Sequence, residues 1–379
     1  MPDDATLRTA ATDWLAVADA AAREIAAEAA RHDEEDSFVT EAYARLKADG
    51  LFKAHVPVEF GGGGASYAEM CQIVRRLAAA CGSTGLAFAM HTHIVALAVW
   101  RWRHEGAPTE GLLKRVAGEN LVLVSSGGSD WLQSAGRAEK VEGGFRITAR
   151  KVFSSGSPVG DLISTSAVYD DPDTGPTVLH FAASLKADGV RMHDTWRTLG
   201  MRGTGSNDVE LDGVFVPDAA VSGRRPQGKW HPLFHAITLV AFPIIYSAYA
   251  GVAESARAAA LEVARKKPAD EGLVQTVGEM ETAFTACDVA LGEMVRMPGS
   301  ARPGAETTGR IMTLRQLAGQ AAIRTVERAL EAAGGQAFYR RLPIERAFRD
   351  VQGARFHPLQ EKPQLRLAGR LALGLDIDG

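Results

Sequence analysis

Apolar residues change their spacing twice along this chain. Up to about residue 118 they recur every three to four positions, the period of a helix with one buried face. "DWLAVADAAAREIAAEAARHDEED" (13–36) puts Trp14, Val17, Ala21 and Ile25 on one stripe, with arginine and glutamate opposite. "SYAEMCQIVRRLAAACGSTG" (66–85) predicts a further helix that stops at glycine. From about 119 to 226 the period falls to two. "GRAEKVEGGFRITARKVFSSGS" (136–157) alternates around Gly143-Gly144 and predicts a hairpin. "PTVLHFAASL" (176–185) and "NDVELDGVFVP" (207–217) continue that pattern, the second with a turn expected at Asp212-Gly213. From about 227 helical spacing returns. "IMTLRQLAGQAAIRTVERALEAAGG" (311–335) predicts a long amphipathic helix closed by Gly334-Gly335. "PIERAFRDVQG" (343–353) predicts a short helix opened by proline, and "QLRLAGRLALG" (364–374) the last one.

The pattern therefore predicts an α+β chain in three parts: an N-terminal helical domain over 1–118, a middle antiparallel sheet or barrel over 119–226, and a C-terminal helical domain over 227–379. Hydrophobic content of 46% supplies an ample core, and the 42 basic and 46 acidic residues are interspersed. No basic stripe stands out, which argues against nucleic-acid binding. Three scattered cysteines make neither a disulfide framework nor a thiolate metal site, so a reducing, cytoplasmic setting is expected. The first residues carry aspartates and no apolar core, unlike a signal peptide. One run, 236–253, is uncharged and nearly long enough to span a bilayer. It lacks basic flanks and a second run like it, so a core helix buried on all sides is expected rather than a membrane span. The glycine run "VEFGGGG" (58–64) lacks the strand–GxGxxG–helix setting of a dinucleotide site.

Five collinear segments carry a resemblance: "GLFKAHVPVEFGGGG" (50–64), "GGSD" (127–130), "ARKVFSSGS" (149–157), "LGMRGTGSNDVELDGVFVP" (199–217) and "AAGGQAFYRRLPIERAFRD" (332–350). Together they resemble the acyl-CoA dehydrogenase superfamily over almost the whole chain. The resemblance implies the acyl-CoA dehydrogenase-like fold with a C-terminal four-helix bundle, FAD as cofactor and a homo-oligomer, commonly a tetramer, alternatively a dimer. It implies flavin contacts from Ser125, Ser126, Ser129, Phe153, Ser154 and Ser155, with Phe153 standing where the family has tryptophan. It also implies that Gly334 and Gly335 approach the cofactor of a neighbouring subunit. Without the resemblance, Phe153 reads as strand core, the serines as a turn and the glycines as a helix cap.

The departures bear on the chemistry. A dehydrogenase of this family needs a glutamate base beside the acyl α-carbon. An ungapped match of "FHPLQEKPQLRLAGR" (356–370) puts Pro358 at that position, and the alternative position on the 236–253 helix falls near Ala241 and Phe242. Glu361, one turn on, is the substitute base under a dehydrogenase reading. The segment that grips the cofactor pyrophosphate shortens to "RKKPADEGLVQ" (265–275), with Gln275 as its surviving candidate. Two-component flavin monooxygenases of the same superfamily dispense with the glutamate and accept reduced flavin from a separate reductase. Their histidine segment resembles "RDVQGARFH" (349–357), which makes His357 a candidate to take a proton or bond the reacting oxygen.

Family prevalence makes acyl-CoA dehydrogenase-like oxidation of a CoA thioester or related apolar substrate the leading expectation, with an electron-transfer flavoprotein as partner. The alternatives are a two-component monooxygenase supplied with reduced FMN or FAD by a reductase, and a non-catalytic paralogue. Trp131, Phe242 and Tyr246 are candidate substrate-pocket walls, and Arg202 either orients substrate or fixes its own glycine-rich loop. His231 and His235 have helical i,i+4 spacing but no completing ligand, so no metal is expected. His91 and His93, two apart, point to different faces of a helix.

Overall fold

The computed structural model describes residues 12–126 and 130–378. Among them, ten α-helices and eight strands follow the expected order of helices, strands, helices. Helix α1 (Trp14–Glu34) starts where the Asp13 side chain accepts the Ala16 N–H, and it buries Trp14, Ala18, Ala21 and Ile25. Val17 sits at the edge of that stripe. After α2 (Thr40–Ala48), a reciprocal capping box between Ser66 and Glu69 opens α3 (Tyr67–Ala80). The glycine expected to stop α3 instead starts α4 (Gly82–Glu105), the chain bending at Cys81. Close packing explains that glycine. A Cβ at Gly82 would lie 2.9 Å from both Asp350 and Val252. Helix α5 (Glu110–Glu119) completes the first helical part.

The strands are β1 (Leu123–Ser125), β2 (Arg137–Val141), β3 (Gly144–Ser154), β4 (Leu162–Asp171), β5 (Gly175–Ser184), β6 (Val190–His193), β7 (Asn207–Pro217) and β8 (Val221–Pro226). They form one sheet in the order β6-β7-β3-β2-β4-β5-β8, with β1 beside β4. The sheet is mixed rather than purely antiparallel, because β1 and β2 both run parallel to β4. The β2–β3 hairpin turns where expected, at Gly143 (φ 74°). Asp212-Gly213 is not a turn. β7 runs through it, and a register shift against β3 with Gly213 at φ 64° makes it a bulge.

Helix α6 (Pro232–Ala264) is the axis of the second helical part, buried along most of its length. Around it pack α7 (Glu271–Arg296), α8 (Ala305–Ala333) and α9 (Pro343–Val351), and α10 (Glu361–Ala372) lies against α8. Two helices, α4 and α6, are long and apolar enough to cross a membrane, where the sequence pattern singled out one. Here 83% and 94% of their apolar windows are buried against the rest of the protein. The helical parts share one continuous apolar core, and the sheet has its own around Phe145, Ile147, Leu179 and Leu211.

Two of the motif segments meet at a polar joint. Arg349 of α9 forks onto Asp33 of α1 at 2.5 and 2.8 Å and also bonds Glu345. Its neighbour Asp350 accepts the Met201 N–H at 2.5 Å, and burial lifts that carboxyl to about 6.

Candidate active site

A cavity of about 200 Å³ opens where α4, the sheet and α6 converge. Helix α4 contributes Met90, His93, Ile94 and Leu97; α6 contributes Phe234, Ile237, Ala241, Phe242 and Ile245. The sheet side supplies Ser125 and Ser126 at the end of β1, Ser164–Ser166 of β4 and His180 of β5, with Asp130 and Trp131 just after β1. His357 and Pro358, between α9 and α10, close it. The wall is thus apolar on its helical side and polar on its sheet side, the usual make-up of a small-molecule site.

His357 is fixed from two directions. Its Nε2 lies 2.6 Å from the Tyr249 hydroxyl of α6. Burial holds that phenol well above its usual range, so it stays protonated and donates, leaving the imidazole proton on Nδ1. The backbone is held by Arg315 of α8, wholly buried, which donates to the carbonyls of His357, Pro358 and Leu359 at 3.0, 3.3 and 2.5 Å. Desolvation, with help from the Arg315 charge, pushes the His357 imidazole down to about 3. His93 is likewise neutral, pushed down to about 4 by burial, and its Nδ1–H donates to the Ala89 carbonyl at 3.1 Å. Its Nε2 lone pair is therefore free. One imidazole presents a donor and the other an acceptor, both uncharged at neutral pH.

The sheet side is tied by a buried ion pair. The Lys151 ammonium bonds Asp130 at 2.7 Å and the carbonyls of Ala135 and Ser166 at 2.6 and 2.5 Å. A buried charge left unpaired costs several kcal/mol, so Asp130 is held in place by what it neutralises. Ser126 donates to the same carboxylate oxygen at 2.7 Å and accepts from Thr165 at 3.0 Å. Behind the lining, buried Arg225 donates to the carbonyls of Trp131 and Leu132 at 2.9 and 2.6 Å and to His180 Nε2 at 3.0 Å.

Of the residues singled out in the sequence, the cavity brings together Ser125, Ser126, Trp131, Phe242 and His357. Phe153 is no core residue. A bulge between Lys151 and Ser154 and a left-handed backbone (φ 56°) turn it out to 48% exposure, edge-on to Trp196. Ser154 and Ser155 turn inward, Ser155 bonding Ser206 at 2.7 Å. Ser129 lies outside the described residues. Tyr246 touches the His357 ring but spends its hydroxyl on the Ala354 carbonyl, and it lines a different cavity with Glu361. Glu361 opens α10 and does not reach the His357 cavity. Arg202 fixes its own loop, bonding the carbonyls of Thr198 and Asp33. Gln275 bonds Glu279 of its own helix, and Gly334 ends α8 where Lys267 caps the carbonyls of Ala332 and Ala333. None of Tyr246, Glu361, Arg202, Gln275 and Gly334 lines the cavity. His231 caps α6 and His235 bonds Thr308.

His91 and His93 do diverge. His91 bonds the Phe52 carbonyl and the Leu123 N–H, a satisfied structural residue, while His93 faces the cavity. Sequence reasoning took Tyr249 only as apolar pocket content and His93 only as diverging from His91, and it passed over Arg315, His180 and the Asp130–Lys151 pair. For Lys151 a signal was present. Phe145, Ile147 and Ala149 alternate inward along β3, and Lys151 occupies the next inward slot. A lysine there demands a buried partner.

This helix–sheet–helix architecture with a cavity at the junction is that of the acyl-CoA dehydrogenase family, and the chain belongs to it. The family's N-terminal domain matches residues 15–117 and its C-terminal domain residues 244–361. Among curated proteins, the chain is 26% identical to a pigment production hydroxylase of Rhodococcus sp., covering 93% of this chain and 94% of that one. It is 27% identical to the dibenzothiophene monooxygenase of Mycolicibacterium goodii (89% and 87% covered) and 28% to the amino sugar nitrososynthase RubN8 of Streptomyces rubradiris (93% and 88%). Among solved structures, KijD3 in complex with FMN and a dTDP-amino-keto sugar superposes with a TM-score of 0.88 at 24% identity, covering 97% and 96%. FMN-bound TdsC from Paenibacillus sp. A11-2 gives 0.84 at 19%, covering 97% and 99%.

Proposed function

We propose that this chain is a flavin-dependent monooxygenase that takes reduced flavin from a separate reductase and oxygenates a small, largely apolar substrate. The observation that carries this reading is the pair of neutral imidazoles, His93 and His357, in a cavity whose one carboxylate among the described lining residues, Asp130, is already neutralised by Lys151. Dehydrogenation of an acyl thioester needs a free carboxylate base, and Glu361 lies on another cavity. The hydroxylase, monooxygenase and nitrososynthase names of the relatives support the same choice over the dehydrogenase expectation.

The residues present fit a flavin. Phe153, strained and exposed beside Trp196, offers an uncovered aromatic ledge, and Ser125 and Ser126 put hydroxyls at the cavity's sheet side. Reduced flavin there would supply two electrons and activate O2, one oxygen atom entering the substrate and the other leaving as water. The chain's own groups have distinct tasks. His357 Nδ1–H donates a hydrogen bond toward the reacting oxygen, and Tyr249 keeps that proton on Nδ1. His93 Nε2 accepts a proton from the substrate. Trp131, Phe234 and Phe242 exclude water, which strengthens each of these contacts.

The test uses anaerobically photoreduced FMN, the full-length protein and a panel of phenols, indoles and sulfides. On admitting ¹⁸O₂, product carrying one ¹⁸O atom is expected, and only with protein present. Bleaching of oxidised, protein-bound flavin by an acyl-CoA without oxygen, and no labelled product, would return the chain to dehydrogenation.

A further inference from the structure

Among the cavity-lining residues, two buried side-chain atoms on adjacent residues lack a hydrogen-bond partner. Asp130 spends its Oδ2 on Lys151 and Ser126, yet its Oδ1 is buried and without a hydrogen-bond partner among the described residues. Trp131 Nε1, a donor, is buried and unpartnered as well. Asp130 is 6% exposed, and both residues line the cavity. A buried acceptor and a buried donor left open side by side cost free energy in the empty protein. A ligand that supplies the matching groups recovers it.

Building on the monooxygenase reading, we propose that Asp130 Oδ1 is a specificity-determining acceptor that selects substrates carrying an N–H or O–H on a neutral aromatic frame. Charge decides why the donor is neutral rather than an ammonium. The Asp130 charge is already matched by Lys151, and a further buried cation, Arg225, stands behind the lining over Phe234. His93, His180 and His357 are all held uncharged by burial. A second cation would lose its hydration and gain no uncompensated anion. The helical wall of Ile237, Phe242 and Ile245 suits the ring. The chain would thereby discriminate against donor-free sulfur heterocycles of the kind named for its dibenzothiophene relatives.

The test needs no turnover, so it is independent of whether oxygen transfer is found. Indole and 1-benzothiophene have nearly the same shape, but only indole has a ring N–H. Calorimetric titration of the full-length protein with each, with and without FMN, is expected to show indole bound at least about tenfold more tightly, the discrimination that one buried hydrogen bond supplies. Asp130→Asn keeps a carbonyl oxygen for Lys151 and turns an amide N–H₂ toward the cavity. In that variant the preference for indole should vanish. Equal affinities in the wild-type protein, binding of neither probe, or a preference that survives in Asp130→Asn would each overturn the assignment. The wild-type comparison stands even if the variant does not fold.

Discussion

At the scale of single residues, the chemistry rests on how two histidines are kept neutral and pointed. His357 depends on one hydroxyl for its tautomer. Tyr249→Phe removes that donor and lets the imidazole proton move to Nε2, away from the reacting atoms. Oxygenation should fall by roughly 100-fold, the range of a lost general acid–base contact, with FMN affinity unchanged. His357→Ala should lose at least as much. Single-turnover product yield beside a flavin titration separates the two effects, and an unchanged yield in both variants would remove His357 from the mechanism. Some of this was legible beforehand. His357 stood out because "RDVQGARFH" resembles the histidine segment of the two-component monooxygenases while proline occupies the dehydrogenase glutamate position beside it. The task of Tyr249 did not, because a tyrosine in an uncharged run reads as apolar pocket or core until its hydroxyl is seen to have a partner 108 residues away.

At the scale of elements, spacing predicted helices and strands well where one face is buried and poorly where the backbone does something local. The apolar run of α6 announced a buried helix, but only the packed structure shows why Gly251 sits in it. A Cβ there would come within 2.1 Å of the Arg75 carbonyl oxygen of α3, so the two helices touch through backbone. Gly251→Ala should force them apart and destabilise the fold by about 1–3 kcal/mol or more despite the better helix propensity of alanine. Urea unfolding midpoints measure this, and a midpoint at or above wild type would show that α6 slides without cost. Arg315 carried a signal that went unread. It stands three to four residues from Ile311, Met312, Ala318 and Gly319 on the buried stripe of α8, is 1% exposed and holds the 357–359 backbone through three carbonyls. Arg315→Met would leave those carbonyls unpaired, at a cost of about 3–5 kcal/mol by analogy with broken buried ion pairs. Arg315→Lys should recover only part of it, because an ammonium lacks the planar fork. Asp212-Gly213 and Phe153 were misread for a related reason, since bulges follow from pairing with a neighbouring strand rather than from their own dipeptides.

At the scale of the whole molecule, the buried imidazoles set how the protein meets acid. His55, His91 and His93 are pushed down to about 4 by burial, and His180 and His357 to about 3. An unfolded histidine titrates near 6.5. Between those values the unfolded chain binds more protons than the folded one, so stability is whole above about 6.5 and is lost as the pH falls toward 4. Asp350 works the other way. Its carboxyl is raised from 3.8 to about 6, so the folded state takes up that proton first and one histidine's contribution is offset between those values. His93, His180 and His357 also touch the cavity's solvent, which screens part of their shift, whereas His55 and His91 are enclosed by protein. A net loss of about 3 kcal/mol per pH unit below 6 follows from two to three protons at ~1.4 kcal/mol each. Against a typical stability of about 5–15 kcal/mol, that is enough to unfold the chain near pH 4–5. Urea midpoints at pH 7, 6 and 5 should fall steadily, and an aromatic ligand in the cavity should raise every midpoint while steepening the fall, because it keeps water from its three histidines and holds their folded-state protonation low. A midpoint that does not move between pH 7 and 5 would mean the imidazoles are hydrated in solution, and His93 and His357 would then become cationic below about 6.5 and lose there the neutrality on which the proposed proton handling depends.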